Sequence, residues 1–357
     1  MLKVYKLNTE EEIENYKMLL SVLEIKNPYF LLDYIDIFCG GINNLICFSL
    51  TKSTNDTIIM LGYLQPILIS DEKIKYFDFI SPYGYTGPFF SPGIKDSDIL
   101  DFWKRVDQWY LENNVVTEFI RFNLSENHIG YSGEIFPTML NVKGRIVDEE
   151  TQWVAFDHKV RKNVNKAKRD KNSSKVIYID IEEDTIAEFY EIYIQTMKRT
   201  NANEKFFYPF EEFKRFINHN KEYAAICTIY FEGIPISSEL LLVSKTSIYS
   251  FLGGTNENFF DKRPNDFLKV EALNWARSQG KQYYVLGGGY GYEDGIFKYK
   301  KSFFPNDVVS YYTGRKIINH DVYNKLVKKR NAQRRASNMD MLDINDVSFF
   351  PLYNKTN

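Results

Sequence analysis

One order of hydrophobic patterns occurs twice along this chain, and it limits the possible folds more than any other feature. Each copy contains two stretches with apolar residues at helical spacing, three strand-like runs, a third helical stretch and a fourth strand-like run. The first copy comprises residues 13–23, 29–38, 45–50, 58–69, 74–80, 99–110 and 116–123. The second copy comprises residues 186–197, 210–217, 223–231, 236–243, 247–252, 268–276 and 282–286. The repeat predicts a duplicated α/β (α+β) unit rather than one winding sheet.

The boundary between the two copies is predicted near Val147–Thr151, or in the basic segment that follows it. A length of 357 residues favours two domains. A strand at 308–313 and a basic helix follow the second copy. We therefore expect an N-terminal domain over 1–150, a C-terminal domain over 151–335 that begins with a basic helix, and a tail over 336–357.

Charge and composition exclude several classes of protein. Lys and Arg number 45 against 47 Asp and Glu, and a net charge of −2 argues against an overall DNA-binding polycation. Apolar residues at 44% argue against a disordered chain. Three cysteines without C-x-x-C spacing indicate neither a disulfide framework nor a zinc site, and four histidines show no spacing for a triad or metal. Without a signal-like start or a long apolar window, we expect a cytoplasmic protein without a transmembrane segment.

The segment 157–175 carries eight Lys or Arg residues and has Val160, Val164 and Ala167 at helical spacing. One interpretation is a solvated helix face, which the segment taken alone favours. The other is a phosphate-binding surface for RNA or a nucleotide-linked substrate, with Arg161 and Lys162 as contacts.

A glycine-rich turn and a lysine-rich helix lie near the end of the second copy. The turn fits neither the G-x-G-x-x-G pattern nor the P-loop, so its backbone passes close either to another chain segment or to a ligand. The candidate binding residues in it are Gly287, Gly288, Gly289 and Tyr290. A lysine beside a cleft, such as Lys300, can stabilise an oxyanion.

Glu239 lies in an apolar strand, where burial could raise its pKa and make it a general base. The alternative, which we favour from the sequence, is an edge-strand glutamate that faces water.

Several motifs resemble, in order, those of the Fem-type peptidyltransferases within the GNAT-like acyltransferases. They are Lys159–Ala167, Thr196–Arg199, Tyr249–Thr255 and Asp294–Phe303. Ser81–Pro88 and Tyr311–Tyr323 are similar to segments of shorter, polysaccharide-cluster relatives. The resemblance implies two tandem GNAT-like domains, each with a mixed, mostly antiparallel sheet flanked by helices.

The resemblance also implies an acyltransferase that modifies an amine or hydroxyl of a cell-envelope precursor or surface-polysaccharide sugar. Tyr299 and Lys300 match the family's catalytic aromatic–lysine pair, and Arg199 matches its phosphate-contacting arginine. The implied donor is an aminoacyl-tRNA or an acyl thioester, with no tightly bound cofactor. The implied acceptor is a nucleotide- or lipid-linked sugar or muropeptide, with peripheral membrane contact.

Two alternatives stay open at this point. The first is a polyanion-binding protein without catalytic activity on the same scaffold. The second is a CoA-dependent N-acetyltransferase, although residues 253–267 lack the Q/R-x-x-G-x-G/A loop with which such enzymes usually bind pyrophosphate.

Overall fold

The computed structural model describes residues 2–53, 56–69 and 74–356 of the chain. Its strands are β1 (Leu2–Lys6), β2 (Leu45–Thr51), β3 (Thr57–Pro66), β4 (Phe77–Ile80), β5 (Phe89–Phe90), β6 (Val115–Arg121), β7 (Glu134–Arg145), β8 (Ser173–Tyr178), β9 (Ala224–Phe231), β10 (Ile234–Val243), β11 (Ser247–Thr255), β12 (Tyr283–Gly287) and β13 (Val308–Ile317). Its helices are α1 (Glu10–Val22), α2 (Leu32–Phe38), α3 (Asp96–Glu112), α4 (Glu149–Ala155), α5 (His158–Arg169), α6 (Glu183–Arg199), α7 (Phe210–His219), α8 (Pro264–Ser278), α9 (Gly295–Lys301) and α10 (His320–Ala336).

These residues divide into two compact units, each built from separate stretches of the chain. Unit 1 comprises residues 2–25, 38–138 and 311–356, apart from the gaps in the described residues. Its sheet has the order β1-β2-β3-β4-β6-β13, with β5 beside β3. The pairs are antiparallel except β4 and β6, which are parallel and are joined along the chain by α3.

Unit 2 comprises residues 26–37 and 139–310. Its sheet has the order β7-β12-β11-β10-β9-β8. The pairs are again antiparallel except one, β11 with β12, whose strands are joined along the chain by α8. The same order and pairing therefore occur in both units, and the predicted repeat and fold class, mostly antiparallel sheets flanked by helices, are confirmed.

The last strand of each sheet comes from an unexpected part of the chain. β7 follows β6 directly in sequence but pairs through Val142–Arg145 with β12 of unit 2. β13 follows α9 in sequence but pairs through Thr313–Ile317 with β6 of unit 1. The domain boundary expected near residue 150 stays a prediction.

The basic helix α5 is held to unit 2 by the narrow stripe that its sequence predicts. Val160, Val164 and Ala167 are fully buried in a core that they share with Phe267 and Leu268 of α8. The lysines and arginines lie on the remaining faces, because burying them unpaired would cost far more than the stripe gains. The packing of α5 on α8 positions its polar residues beside the start of α8.

No helix within the described ranges is both long enough and apolar enough to cross a membrane.

Candidate active site

The candidate site lies where the parallel strands β11 and β12 separate. Their ladder joins Ser247–Tyr249 to Tyr283–Val285 and ends there. At the next residues of β11 the register against β10 shifts, because Phe251 forms a bulge between Ser250 and Leu252. Ligands of open α/β sheets bind outside the carboxyl ends of parallel strands, and both the start of α8 and the glycine turn lie at this edge.

Asp294 organises the glycine turn and begins α9. Its carboxylate accepts hydrogen bonds from the backbone N–H groups of Phe297 (2.8 Å), Gly291 (3.0 Å) and Tyr290 (2.6 Å). These backbone donors lower the pKa of the Asp294 carboxyl, so it remains an anion. The aspartate of the resembling motif therefore serves as the N-cap that fixes the direction of α9.

The backbone conformation and close packing of the turn require glycine at Gly287, Gly288 and Gly289. Gly287 has a left-handed φ of 78°. A Cβ on Gly288 would lie 2.9 Å from the carbonyl oxygen of Leu140, and one on Gly289 would lie 2.0 Å from a carboxylate oxygen of Asp294. Close approach to another chain segment therefore explains these glycines. Tyr290, in contrast, is 87% exposed.

The turn also positions Lys300, whose Nζ donates to the carbonyl oxygen of Gly288 at 2.6 Å. Burial, and to a smaller extent the positive charge of Lys269, lower the pKa of this ammonium to about 8 against the opposing charges of Glu239 and Asp294. Below that pH the group is charged and has three N–H donors. Gly288 takes one of them, and two remain.

Tyr299 precedes Lys300 and presents a buried hydroxyl. This hydroxyl has no hydrogen-bond partner among the described residues. Burial, together with the negative charges of Asp266 and Glu239, raises the pKa of Tyr299 well above its ordinary value, so the hydroxyl is neutral. Because buried polar groups are nearly always hydrogen-bonded, this unpartnered hydroxyl is a candidate for contact with a bound molecule.

The structure corrects the favoured interpretation of Glu239. β10 lies between β9 and β11, and Glu239 is buried, so it is not an edge-strand residue that faces water. Its carboxylate accepts from Lys269 Nζ at 2.5 Å, from the Tyr284 hydroxyl at 3.1 Å and from the Ser250 hydroxyl. These three donors occupy both oxygens of the carboxylate. Its assignment as a general base stays a prediction.

The basic candidates have different surroundings. The Arg161 guanidinium donates to the backbone carbonyls of Val154, at 2.9 Å, and of Phe156, so it completes the end of α4. Lys162 is exposed on the next position of α5. Arg199 ends α6 and lies over the ring of Phe260, 5.2 Å from its centroid, in the connection that leads into α8. Of these three, Lys162 and Arg199 present charge that a substrate phosphate can meet.

Sequence reasoning missed Asp266, Lys269 and the residues around them. Asp266 lies in the first turn of α8 and accepts a hydrogen bond from Asn163 Nδ2 of α5 at 3.2 Å. An acidic residue there looks like an ordinary helix start, and a lysine in a helix looks like a solvated one. No sequence signal distinguishes Asp266 and Lys269 from such ordinary residues, because their role follows from contacts between distant elements.

The corresponding parallel pair in unit 1 is occupied by its own chain. After β4 the loop is tied to β6, because Arg121 donates to the carbonyl of Ser81 at 2.8 Å and Thr86 donates to the carbonyl of Arg121 at 3.1 Å. The Tyr311 hydroxyl donates to the carbonyl of Gly84 at 3.2 Å. The desolvated lysine at the carboxyl ends of the parallel pair is a feature of unit 2. Nowhere in the described chain do three or more His, Cys, Asp or Glu side chains form a potential metal site.

Part of the chain is similar to a known protein family. Residues 158–301 match the family described as an acetyltransferase (GNAT) domain, and this range contains Asn163, Glu239, Asp266 and Lys300. These residues form a GNAT-like acyltransferase domain. The match spans less than half of the chain. A search of curated proteins finds no match.

Solved structures share the fold at low sequence identity. FemX is 12% identical with a TM-score of 0.56, over 78% of this chain and 89% of that chain. The C-terminal domain of a putative lysylphosphatidylglycerol synthetase from Agrobacterium fabrum is 12% identical with a TM-score of 0.58, over 90% and 96% of the two chains. L-PGS from Bacillus licheniformis is 13% identical with a TM-score of 0.55, over 88% and 96%. These likenesses concern the fold and extend beyond the GNAT-like domain.

Proposed function

We propose that this protein is a Fem-like acyltransferase that forms an amide, or an ester, on a cell-envelope precursor or surface-polysaccharide sugar. The observation that carries the proposal is the desolvated ammonium of Lys300, fixed by Gly288 at the carboxyl ends of β11 and β12 in a GNAT-like acyltransferase domain. The donor is an activated acyl or aminoacyl group on tRNA or on a thioester.

The chemistry needs few groups because the donor carbonyl is already activated. The acceptor nitrogen must be held about 3 Å from the carbonyl carbon. When it attacks, negative charge develops on the carbonyl oxygen, and a positioned donor there is worth about 3 kcal/mol. Lys300 supplies that donor with its two remaining N–H groups, while the hydroxyl of Tyr299 offers a hydrogen bond to the reacting groups.

Two features support a donor other than coenzyme A in its usual pose. Pro264, at the first position of α8, has no backbone N–H to offer a pyrophosphate. Asp266 places a carboxylate in the same first turn, where the helix dipole would otherwise favour a phosphate. The resemblance to Fem-type peptidyltransferases supports an aminoacyl donor and an envelope precursor as acceptor. The likeness to a putative lysylphosphatidylglycerol synthetase supports a lipid-linked acceptor. Such a reaction belongs in the cytoplasm, with peripheral contact to the membrane when the acceptor is lipid-linked.

Replacement of Lys300 by Ala tests the proposal. Purified protein is screened with a mixture of aminoacyl-tRNAs and with acyl-CoA thioesters, against amino-sugar and nucleotide-linked acceptors. We expect about a 100-fold loss of kcat for Lys300→Ala with the donor that the wild type uses. Lys298→Ala is the matched control, because Lys298 is exposed on the same helix. Equal rates for Lys300→Ala and the wild type would remove Lys300 from the mechanism.

The family description favours a second candidate, a CoA-dependent N-acetyltransferase. Calorimetric titration of the protein with coenzyme A distinguishes the two. Saturable binding, accompanied by turnover of acetyl-CoA and not of aminoacyl-tRNA, would favour this second candidate.

A further inference from the structure

We propose that Asp266 is the general base that takes the proton from the acceptor amine, an inference that rests on the acyl transfer proposed above. α8 follows β11 and precedes β12, so its first turn lies at the carboxyl end of β11. The glycine turn, Tyr299 and Lys300 follow the carboxyl end of the parallel strand β12. The carboxylate and the oxyanion donor therefore lie at the same edge of the sheet.

The contacts of Asp266 agree with this position. The neighbouring side chain that donates to it is Asn163 of α5, at 3.2 Å. Its negative charge is close enough to the buried, unpartnered hydroxyl of Tyr299 to raise the pKa of that group. A substrate that meets the Tyr299 hydroxyl therefore also lies near the Asp266 carboxylate.

The other carboxylates of this region are less suited to accept a proton. Glu239 is engaged by Lys269, Ser250 and Tyr284. Asp294 accepts three backbone hydrogen bonds that lower its pKa. Glu293 is exposed in the turn itself.

The charges around Asp266 decide how basic it is. Burial raises the pKa of its carboxyl and is the largest effect. The hydrogen bond from Asn163 and the positive charges of Lys159 and Arg263 oppose it and are smaller in sum. A carboxyl whose pKa moves toward neutral pH is a better general base than an exposed aspartate, since its conjugate acid is weaker.

The proposed step balances in atoms and charge. The acceptor ammonium gives one proton to the Asp266 carboxylate, and the neutral nitrogen attacks the donor carbonyl carbon. The new C–N bond places negative charge on the carbonyl oxygen, which Lys300 stabilises. The C–O or C–S bond to the carrier then breaks, the second nitrogen proton goes to the departing oxygen or sulfur, and Asp266 releases its proton to water.

The test compares two nucleophiles in wild type and Asp266→Asn, with the donor that the wild type uses. One nucleophile is an alkylamine, which is protonated at neutral pH, and the other is methoxyamine, which is neutral. We expect at least a 100-fold loss of alkylamine transfer in Asp266→Asn, with methoxyamine transfer within a few-fold of wild type. Asp261→Asn is the control, because this carboxylate, in the connection before α8, is 65% exposed.

A second variant keeps the carboxylate and changes its surroundings. Asn163→Ala removes a hydrogen bond that stabilises the anion, so the acid limb of the pH profile for alkylamine transfer should move to higher pH. A merely structural role for Asp266 would leave that limb unmoved. Equal effects of Asp266→Asn on both nucleophiles, or no shift in Asn163→Ala, would overturn the proposal. Absence of transfer from every donor in the wild type would instead overturn the proposed function, and this inference with it.

Discussion

At the scale of single residues, Lys300 lies in a position where function and stability oppose each other. Burial disfavours its charged form and lowers its pKa from 10.5 to about 8. In the unfolded chain the lysine is fully solvated and retains its proton up to the higher value. Packing alone would not require an ammonium at this position. The lowered pKa therefore indicates a functional role for Lys300.

This shift predicts how the stability of the protein depends on pH. Between about pH 8 and 10.5 the unfolded chain binds more protons at Lys300 than the folded protein does, so the wild type gains stability as the pH rises. Relative to Lys300→Met, the gain should total at most about 3 kcal/mol. Urea unfolding of the wild type and of Lys300→Met at pH 7 to 10.5 measures this gain in stability. Lys298→Met is the control. A difference that does not change with pH would contradict the assigned burial of Lys300.

Sequence reasoning predicts Lys300 and Tyr299 as site residues but does not predict the groups that surround them. The pair lies in a motif, so a resemblance reveals it. Lys269 and Asp266 lie in no motif that we could read, and their importance depends on contacts with β10, α5 and α9. The expectation that Glu239 lies on an edge strand is wrong, because the order of strands in a sheet does not follow from the pattern of one strand.

At the scale of helices and strands, the elements with strong periodicity were predicted and those with weak patterns were missed. α3 buries Ile99, Phe102 and Val106 at helical spacing, as expected. β7 was missed, because its residues are mostly half-buried or exposed and include Pro137. Alternation weakens when neither face of a strand is consistently buried.

Two of the resembling motifs meet where α6 packs against β11. The backbone N–H of Thr255 donates to the Thr196 hydroxyl at 3.1 Å. A Cβ on Gly254 would lie 2.2 Å from that hydroxyl oxygen and 2.6 Å from the carbonyl of Ile192. A glycine is therefore required for the helix to lie this close to the strand.

Gly254→Ala should push α6 away from β11 and destabilise the protein by about 1–3 kcal/mol. Thermal unfolding measures the effect. The control is Gly291→Ala, because a Cβ on Gly291 meets no atom within 4 Å. Equal melting temperatures for the two variants would show that the helix moves without cost.

At the scale of the whole molecule, unit 1 depends on residues from the end of the described chain. Leu352 and Tyr353 are fully buried in it, and Tyr353 donates from its hydroxyl to the buried carboxylate of Asp78. Thr117 donates to the same carboxylate at 2.6 Å. The contact of Tyr353 with Asp78, like the pairing of β13 with β6, joins residues more than 180 positions apart.

A fragment of residues 1–150 should therefore fold poorly. It lacks β13, α10 and Tyr353, so β6 has no antiparallel neighbour and Asp78 loses a donor. Urea unfolding followed by circular dichroism should show no cooperative transition. The control joins residues 311–357 to this fragment through a flexible linker, which should restore cooperativity. Cooperative unfolding of the fragment alone would support a domain boundary near residue 150.

During synthesis on the ribosome, β6 lacks its antiparallel neighbour until β13 has been made. At about 5–20 residues per second, β6 emerges many seconds before its partner strand does. Throughout that interval its backbone donors and acceptors form an open sheet edge, the kind of surface on which nascent chains associate wrongly. We therefore expect newly made protein to need holding by a chaperone until residue 317 has left the exit tunnel.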